Sequence, residues 1–198
     1  MIETIISNNC AGGAILHELG MEFKTPTINL QILPEQYTRF CNSFDYYMMQ
    51  ELKECDKGRF TLHEEVMLSH MFGGVPDMPY GLLDDILVCF QHYGTFEEAR
   101  SKWNERKERL NDIFLDEMLF LFHARGPEYK LCAERFVRLD LPHTLCLTQG
   151  FDVKGAVRID VDPFAAAPDG KQWITKVYDW QQLRGGSQNG QDKDPCNV

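Results

Sequence analysis

The sequence predicts a three-layer α/β protein built on a mainly parallel sheet with helices on both faces. Three observations point to it. An apolar, β-branched run at residues 2–6 passes through a short turn into Ala11, Ala14, Ile15 and Leu19 at helical spacing. Residues 86–90 form a continuous apolar run, as expected of a strand covered on both faces. Residues 118–122 form another, again followed by a helical pattern. Parallel strands require covering crossovers of one hand, so such alternation gathers the strand C-termini on one edge. The stretches 7–13, 92–93 and 123–126 would meet there, at the usual ligand-binding edge of an open sheet.

Taken in order, the first helix stops at Gly20. Residues 27–33 alternate Ile28, Leu30 and Ile32 with Asn29 and Gln31, the period of a strand with one less buried face. Pro34 suits a first helical turn. Tyr37, Phe40, Cys41, Phe44, Met48 and Leu52 keep the rhythm of one long amphipathic helix from Glu35 to about Glu54, ended by Lys57-Gly58. Residues 59–81, broken by Gly73-Gly74, Pro76, Pro79 and Gly81, read as a short strand or helix and then a loop. The presumed central strand 86–90 follows, between Asp84-Asp85 and His92-Tyr93-Gly94. Thr95 and Glu98 make a capping box for a helix that turns Phe96, Ala99, Trp103 and Leu110 inward, with Glu98–Lys102 and Glu105–Arg109 pairs outside. Pro127 opens a helix with Tyr129, Cys132, Phe136 and Leu139 on one face. Short strands at 144–148 and, on an edge, 157–161 are followed by a last short helix at 177–183. From Gly185 the composition is that of a disordered tail. The expected organisation is a single α/β domain, residues 1–184, and a tail, residues 185–198.

The composition narrows the function classes. A net charge of -10, with the basic residues near Lys102 to Arg109 interleaved with glutamates, argues against a nucleic-acid partner. Seven cysteines without C-x-x-C spacing signal neither a disulfide framework nor a zinc knuckle. Cys41, Cys89, Cys132 and Cys146 fall inside apolar patterns, as reduced thiols of a cytoplasmic protein would. No apolar run approaches a membrane span, and the N-terminus lacks the basic segment of a signal peptide.

Three stretches carry a family resemblance: Ile5-Ile6-Ser7-Asn8-Asn9-Cys10-Ala11-Gly12-Gly13, Pro79-Tyr80-Gly81-Leu82-Leu83-Asp84-Asp85-Ile86, and His92-Tyr93 with Phe96-Glu97-Glu98-Ala99, Trp103 and Arg106. Together they resemble the bacterial domain family of unknown function commonly labelled exopolysaccharide biosynthesis protein, over nearly all of the chain before the tail. The resemblance implies an α/β fold and a setting in surface-polysaccharide assembly. More distantly, the Asn-Cys turn is similar to the opening of cysteine-type capsule acetyltransferases. Ala11 stands where the family often has an aromatic residue, and His123-Ala124-Arg125-Gly126 where a Thr-Asp-Arg-like turn is expected.

The residues themselves suggest a site. A thiol at a helix start is favoured as thiolate by the dipole and free N–H groups, so Cys10 is a candidate acyl-accepting nucleophile. His92 is the expected base, with His123 second and His17 third. Ser7, Asn8 and Asn9 offer donors and acceptors for an oxyanion or sugar hydroxyls, and equally for turn and cap bonds. Gly12 and Gly13 would permit close approach of a phosphate or acyl group, although no dinucleotide or P-loop motif is present. Asp85, Tyr93, His123 and Arg125 complete the expected ligand-binding set. No metal site is expected: Met67 stands where a zincin opened by His63-Glu64-Glu65 would need its second histidine, and adjacent Asp84 and Asp85 on a strand would face opposite ways.

These features lead to a cytoplasmic transferase of polysaccharide assembly that moves an acyl group to a sugar, with acyl-CoA as a candidate donor. The expected partners are a sugar or small-molecule substrate and other assembly proteins. Two alternatives stand beside it: a noncatalytic sugar- or nucleotide-binding component, and a glycosyltransferase-like enzyme, for which no D-x-D sequence is visible.

Overall fold

The computed structural model describes residues 1–184; the expected tail lies outside the described residues. In chain order the elements are β1 (Thr4–Ser7), α1 (Ala11–Glu18), β2 (Gln31–Ile32), α2 (Pro34–Asn42), α3 (Phe44–Met49), β3 (Leu52–Glu54) and α4 (Leu62–Phe72). The second half comprises β4 (Tyr80–Leu83), β5 (Ile86–Cys89), α5 (Phe96–Leu110), β6 (Met118–Ala124), α6 (Lys130–Phe136), β7 (Thr144–Gln149) and β8 (Val157–Ile159).

The α/β class holds, but the strands divide between two four-stranded sheets rather than forming one mainly parallel sheet. The first is wholly parallel, in the order β1-β6-β7-β8, and the second antiparallel, in the order β2-β5-β4-β3. The expected central strand therefore belongs elsewhere. Only Asp84 and Asp85 separate β4 from β5, too short for a parallel crossover, and Asp84 takes the left-handed conformation (φ 56°) that a tight hairpin link needs. The apolar run was nonetheless a faithful sign of burial: Ile86 and Val88 enter the main core, while Leu87 and Cys89 face a separate cluster beneath α4.

Local signals account for the other departures. The long helix breaks at Ser43 (φ -131°, ψ 42°) into α2 and α3, and Leu52 instead opens a strand paired with β4. Gly81 makes room for it, since a Cβ there would lie 2.7 Å from Leu52 Cδ1. The region read as irregular contains α4, started by a Thr61/Glu64 capping box and stopped by Gly73 in the left-handed conformation. The strand expected at 27–33 contracts to β2, and the last helix to a 3-10 turn at Trp180–Arg184. In α5, Thr95 accepts from the Glu98 N–H as expected, whereas the Glu98 carboxylate takes the Gly94 N–H.

Both faces of the parallel sheet are covered. Ile6, Phe120 and Phe122 pack with Tyr37, Phe40 and Phe136 from α2 and α6, and with residues of the second sheet. Ile5, Leu119 and Leu121 pack on the other side against Ile15 and Leu16 of α1, Ile174 and Trp180. Cys41, Cys89, Cys132 and Cys146 are buried and free, as their apolar surroundings predict. Among the described residues no helix is long and apolar enough to cross a membrane.

Candidate functional site

Register creates the site. β1 ends at Ser7 opposite Leu121, but β6 continues through His123 and Ala124, so the backbone of His123 has no strand partner on that side. The Asn8 carboxamide supplies one: Asn8 Nδ2 donates to the His123 carbonyl (3.2 Å) and Asn8 Oδ1 accepts from the His123 N–H (2.9 Å). Asn9 joins helix to imidazole, with Oδ1 accepting from the Ala11 N–H (3.0 Å) and Nδ2 lying 3.2 Å from His123 Nδ1. Ser7 is sealed beneath them. Its Oγ accepts from the Asn9 N–H and its own N–H donates to Thr27 Oγ1. The Asn8 carbonyl accepts from the Ile32 N–H and ties β2 to the turn.

The two glycines have a packing role of their own. A Cβ on Gly12 would lie 2.8 Å from Ser7 Cβ, and one on Gly13 3.4 Å from Ile28 Cγ2. Both are buried.

The expected catalytic pair does not assemble as an acid–base couple. Cys10 is partly exposed at the start of α1, but its thiol donates to Gln91 Oε1 (3.2 Å). His92, the next residue, is exposed. Burial pushes the Cys10 thiol up to about 11, outweighing its own backbone N–H and the Arg125 charge, both of which favour the thiolate. A lowered thiol pKa was expected from the helix start; desolvation wins because the Cys10 side chain is enclosed by Leu30 and Gln91. His17 is exposed in the last turn of α1.

Two other expected residues serve structure. Asp85 lies at the opposite end of β5 from Gln91, paired with Arg39 (3.1 Å) and accepting from the Tyr47 hydroxyl (2.7 Å). Tyr93 donates to the Ile28 carbonyl (3.3 Å) and accepts from Arg106 (2.7 Å).

His123 and Arg125 do come to the β1–α1 turn. His123 is 1% exposed, and burial followed by the neighbouring Arg125 charge lowers its pKa to about 4, so the ring is neutral near pH 7. Its Nε2 is buried without a hydrogen-bond partner. The Gln149 carboxamide at the end of β7 approaches it without closing a bond, and Phe164 meets the ring edge to face, 5.8 Å between centroids. Such an unpaired buried group costs about 1–3 kcal/mol, a cost that a bound partner would remove. Arg125 is exposed, near enough to bias both Cys10 and His123. Asp162, after β8, acts on His123 in the opposite sense. This edge thus gathers amides, a neutral imidazole, a thiol, the Arg125 guanidinium and the Asp162 carboxylate.

Sequence reading missed Gln91, Gln149 and Asp162. Gln149 had a usable signal, since it directly follows the expected strand 144–148 as His123 follows 118–122. Gln91 had the same signal, directly following the expected strand 86–90, although that strand joins the other sheet.

Comparison with known proteins agrees with the resemblance at the level of the domain. A family model described as Domain of unknown function (DUF1919) matches residues 2–160, and the chain belongs to that family. An uncharacterized protein of Haemophilus influenzae is 32% identical over 114 residues, which cover 57% of this chain and 47% of that relative. The match therefore spans about half the length of the curated relative.

Proposed function

We propose that this member of the DUF1919 family binds a hydroxyl-rich, negatively charged small molecule, of the sugar-phosphate or nucleotide-sugar class, at the C-terminal edge of its parallel sheet. It does so as a noncatalytic component of surface-polysaccharide assembly in the cytoplasm. The observation that carries the binding reading is the buried, unpartnered His123 Nε2 beside the exposed Arg125. The neutral imidazole and the Gln149 carboxamide match hydroxyl and phosphoryl oxygens, and the guanidinium matches the charge. The polysaccharide setting comes from the family resemblance of the 7–13 turn and the 79–86 segment. Calorimetric titration of glucose 1-phosphate and UDP-glucose tests the reading. Saturable binding to the wild-type chain, weakened about tenfold or more by Arg125→Ala, is expected from the loss of a charge-assisted bond. No saturable heat from either ligand would remove it.

Acyl transfer through Cys10 is the second reading. It is favoured by the partial exposure of Cys10 where the other described cysteines are buried. Its raised pKa and its bond to Gln91 support the binding role over this one. Site-resolved alkylation across pH separates the two. In the binding role the Cys10 thiolate at pH 7.5 is about 100-fold scarcer than for an ordinary thiol, and alkylation is correspondingly slow. Selective labelling of Cys10 below pH 8.5 would restore the nucleophile and direct the search to acyl-CoA donors.

A further inference from the structure

We propose that His123 is locked as its Nε2–H tautomer and that this N–H donates a hydrogen bond to a phosphoryl oxygen of the ligand, with Arg125 meeting the same anion. The proposal rests on the binding reading above and makes it atomic.

The lock follows from one obligate donor. The Ala11 backbone N–H can only donate, so the Asn9 atom facing it at 3.0 Å must be the carbonyl oxygen. The other end of that amide is then the NH2 group, and it faces His123 Nδ1 at 3.2 Å. Nδ1 must accept. A neutral imidazole that accepts at Nδ1 carries its proton at Nε2. Protonating the ring would set an Nδ1–H against the Asn9 NH2, a donor against a donor, in addition to the burial and the Arg125 charge that already oppose the cation.

Asn8 holds the residue in place from the backbone side, through both the N–H and the carbonyl of His123. His123 is therefore held at three points, two on its backbone and one on its ring, and the remaining polar atom is a donor that Gln149 approaches without closing a bond. A donor calls for an acceptor oxygen. Among acceptors, a phosphoryl group offers several oxygens, so one can meet Nε2–H while others meet Arg125. This tautomer cannot take a proton at Nε2, which removes His123 as a general base for Cys10. Nε2 is also out of reach of solvent, so a ligand arrives only if a covering side chain moves.

Long-range proton–nitrogen correlation spectra of the full chain, with nitrogen-15 histidine, test the proposal. The free protein should show the Nε2–H pattern for His123 at pH 7, unchanged to about pH 5. Glucose 1-phosphate should shift the Nε2 resonance saturably, with the midpoint found by calorimetry. Inorganic phosphate is titrated in parallel. Equal midpoints would mean that the anion alone is recognised, and a lower midpoint for glucose 1-phosphate that the sugar is also held; either supports the donor role. Asn9→Asp keeps an acceptor for the Ala11 N–H but presents a carboxylate to Nδ1, so it should move the proton to Nδ1 and weaken glucose 1-phosphate at least tenfold. The wild-type spectra decide the tautomer even if that variant does not fold. An Nδ1–H pattern in the wild type overturns the proposal. So does saturable binding that leaves Nε2 unmoved, which would spare the crevice and exclude only His123. Absence of binding by calorimetry, with the Nε2–H pattern intact, would instead remove the crevice reading and the donor role with it.

Discussion

Two strand ends show what separates a closed polar cluster from an open one. At the β4–β5 hairpin, Asp84 accepts from the Tyr46 hydroxyl, while Asp85 takes the Tyr47 hydroxyl and pairs with Arg39. Each carboxylate has its partner within the fold. At the C-terminal edge of the parallel sheet, Asn8 and Asn9 spend their amides on holding His123, yet His123 Nε2 keeps no partner and Arg125 stays exposed. The hairpin joins adjacent strands through two residues, so nearby side chains close on its turn. The parallel edge brings together loops from remote parts of the chain, and these leave one buried ring nitrogen unpaired. Polar residues at a turn are therefore poor evidence of a site unless one of their bonds is missing.

The largest expected effect comes from breaking the open edge. Asn8→Ala strips partners from both the N–H and the carbonyl of buried His123, at about 1–3 kcal/mol for each orphaned group, so urea unfolding should show a loss of about 2–6 kcal/mol. A loss under about 1 kcal/mol would mean that the backbone relaxes and the carboxamide is no structural substitute for a strand.

Acid should act on the same edge. The folded pKa of His123, about 4, lies below its ordinary value of about 6.5, so the unfolded chain binds the extra proton between those limits. The stability linked to this ring is whole above pH 6.5 and is lost as pH falls toward 4, by about 3 kcal/mol. His123→Gln should flatten that part of the profile. An equally steep profile in the variant would place the acid sensitivity elsewhere.

The smallest effect is expected at the closed turn. The Arg39 and Asp85 side chains are 49% and 55% exposed, so Asp85→Asn should cost less than about 1 kcal/mol by urea unfolding. Glucose 1-phosphate binding should be unchanged. A tenfold loss of affinity would erase the contrast and return Asp85 to the site.

Much of the molecule was legible before any coordinates. Helix α5 came with its Thr95 cap and its inward Phe96, Ala99, Trp103 and Leu110, because capping and apolar period are settled within a few residues. The buried runs at 86–90 and 118–122, the core cysteines and the polar turn at 7–13 were readable for the same reason. Tertiary structure decided which sheet each strand joined, because the apolar pattern of a strand covered on both faces is the same in either sheet. It also decided the chemistry of the site. The Cys10–Gln91 contact spans 81 positions and the Asn9–His123 contact 114. Burial and hydrogen bonding between such distant segments set the thiol's pKa and the imidazole's tautomer, and no local pattern encodes either.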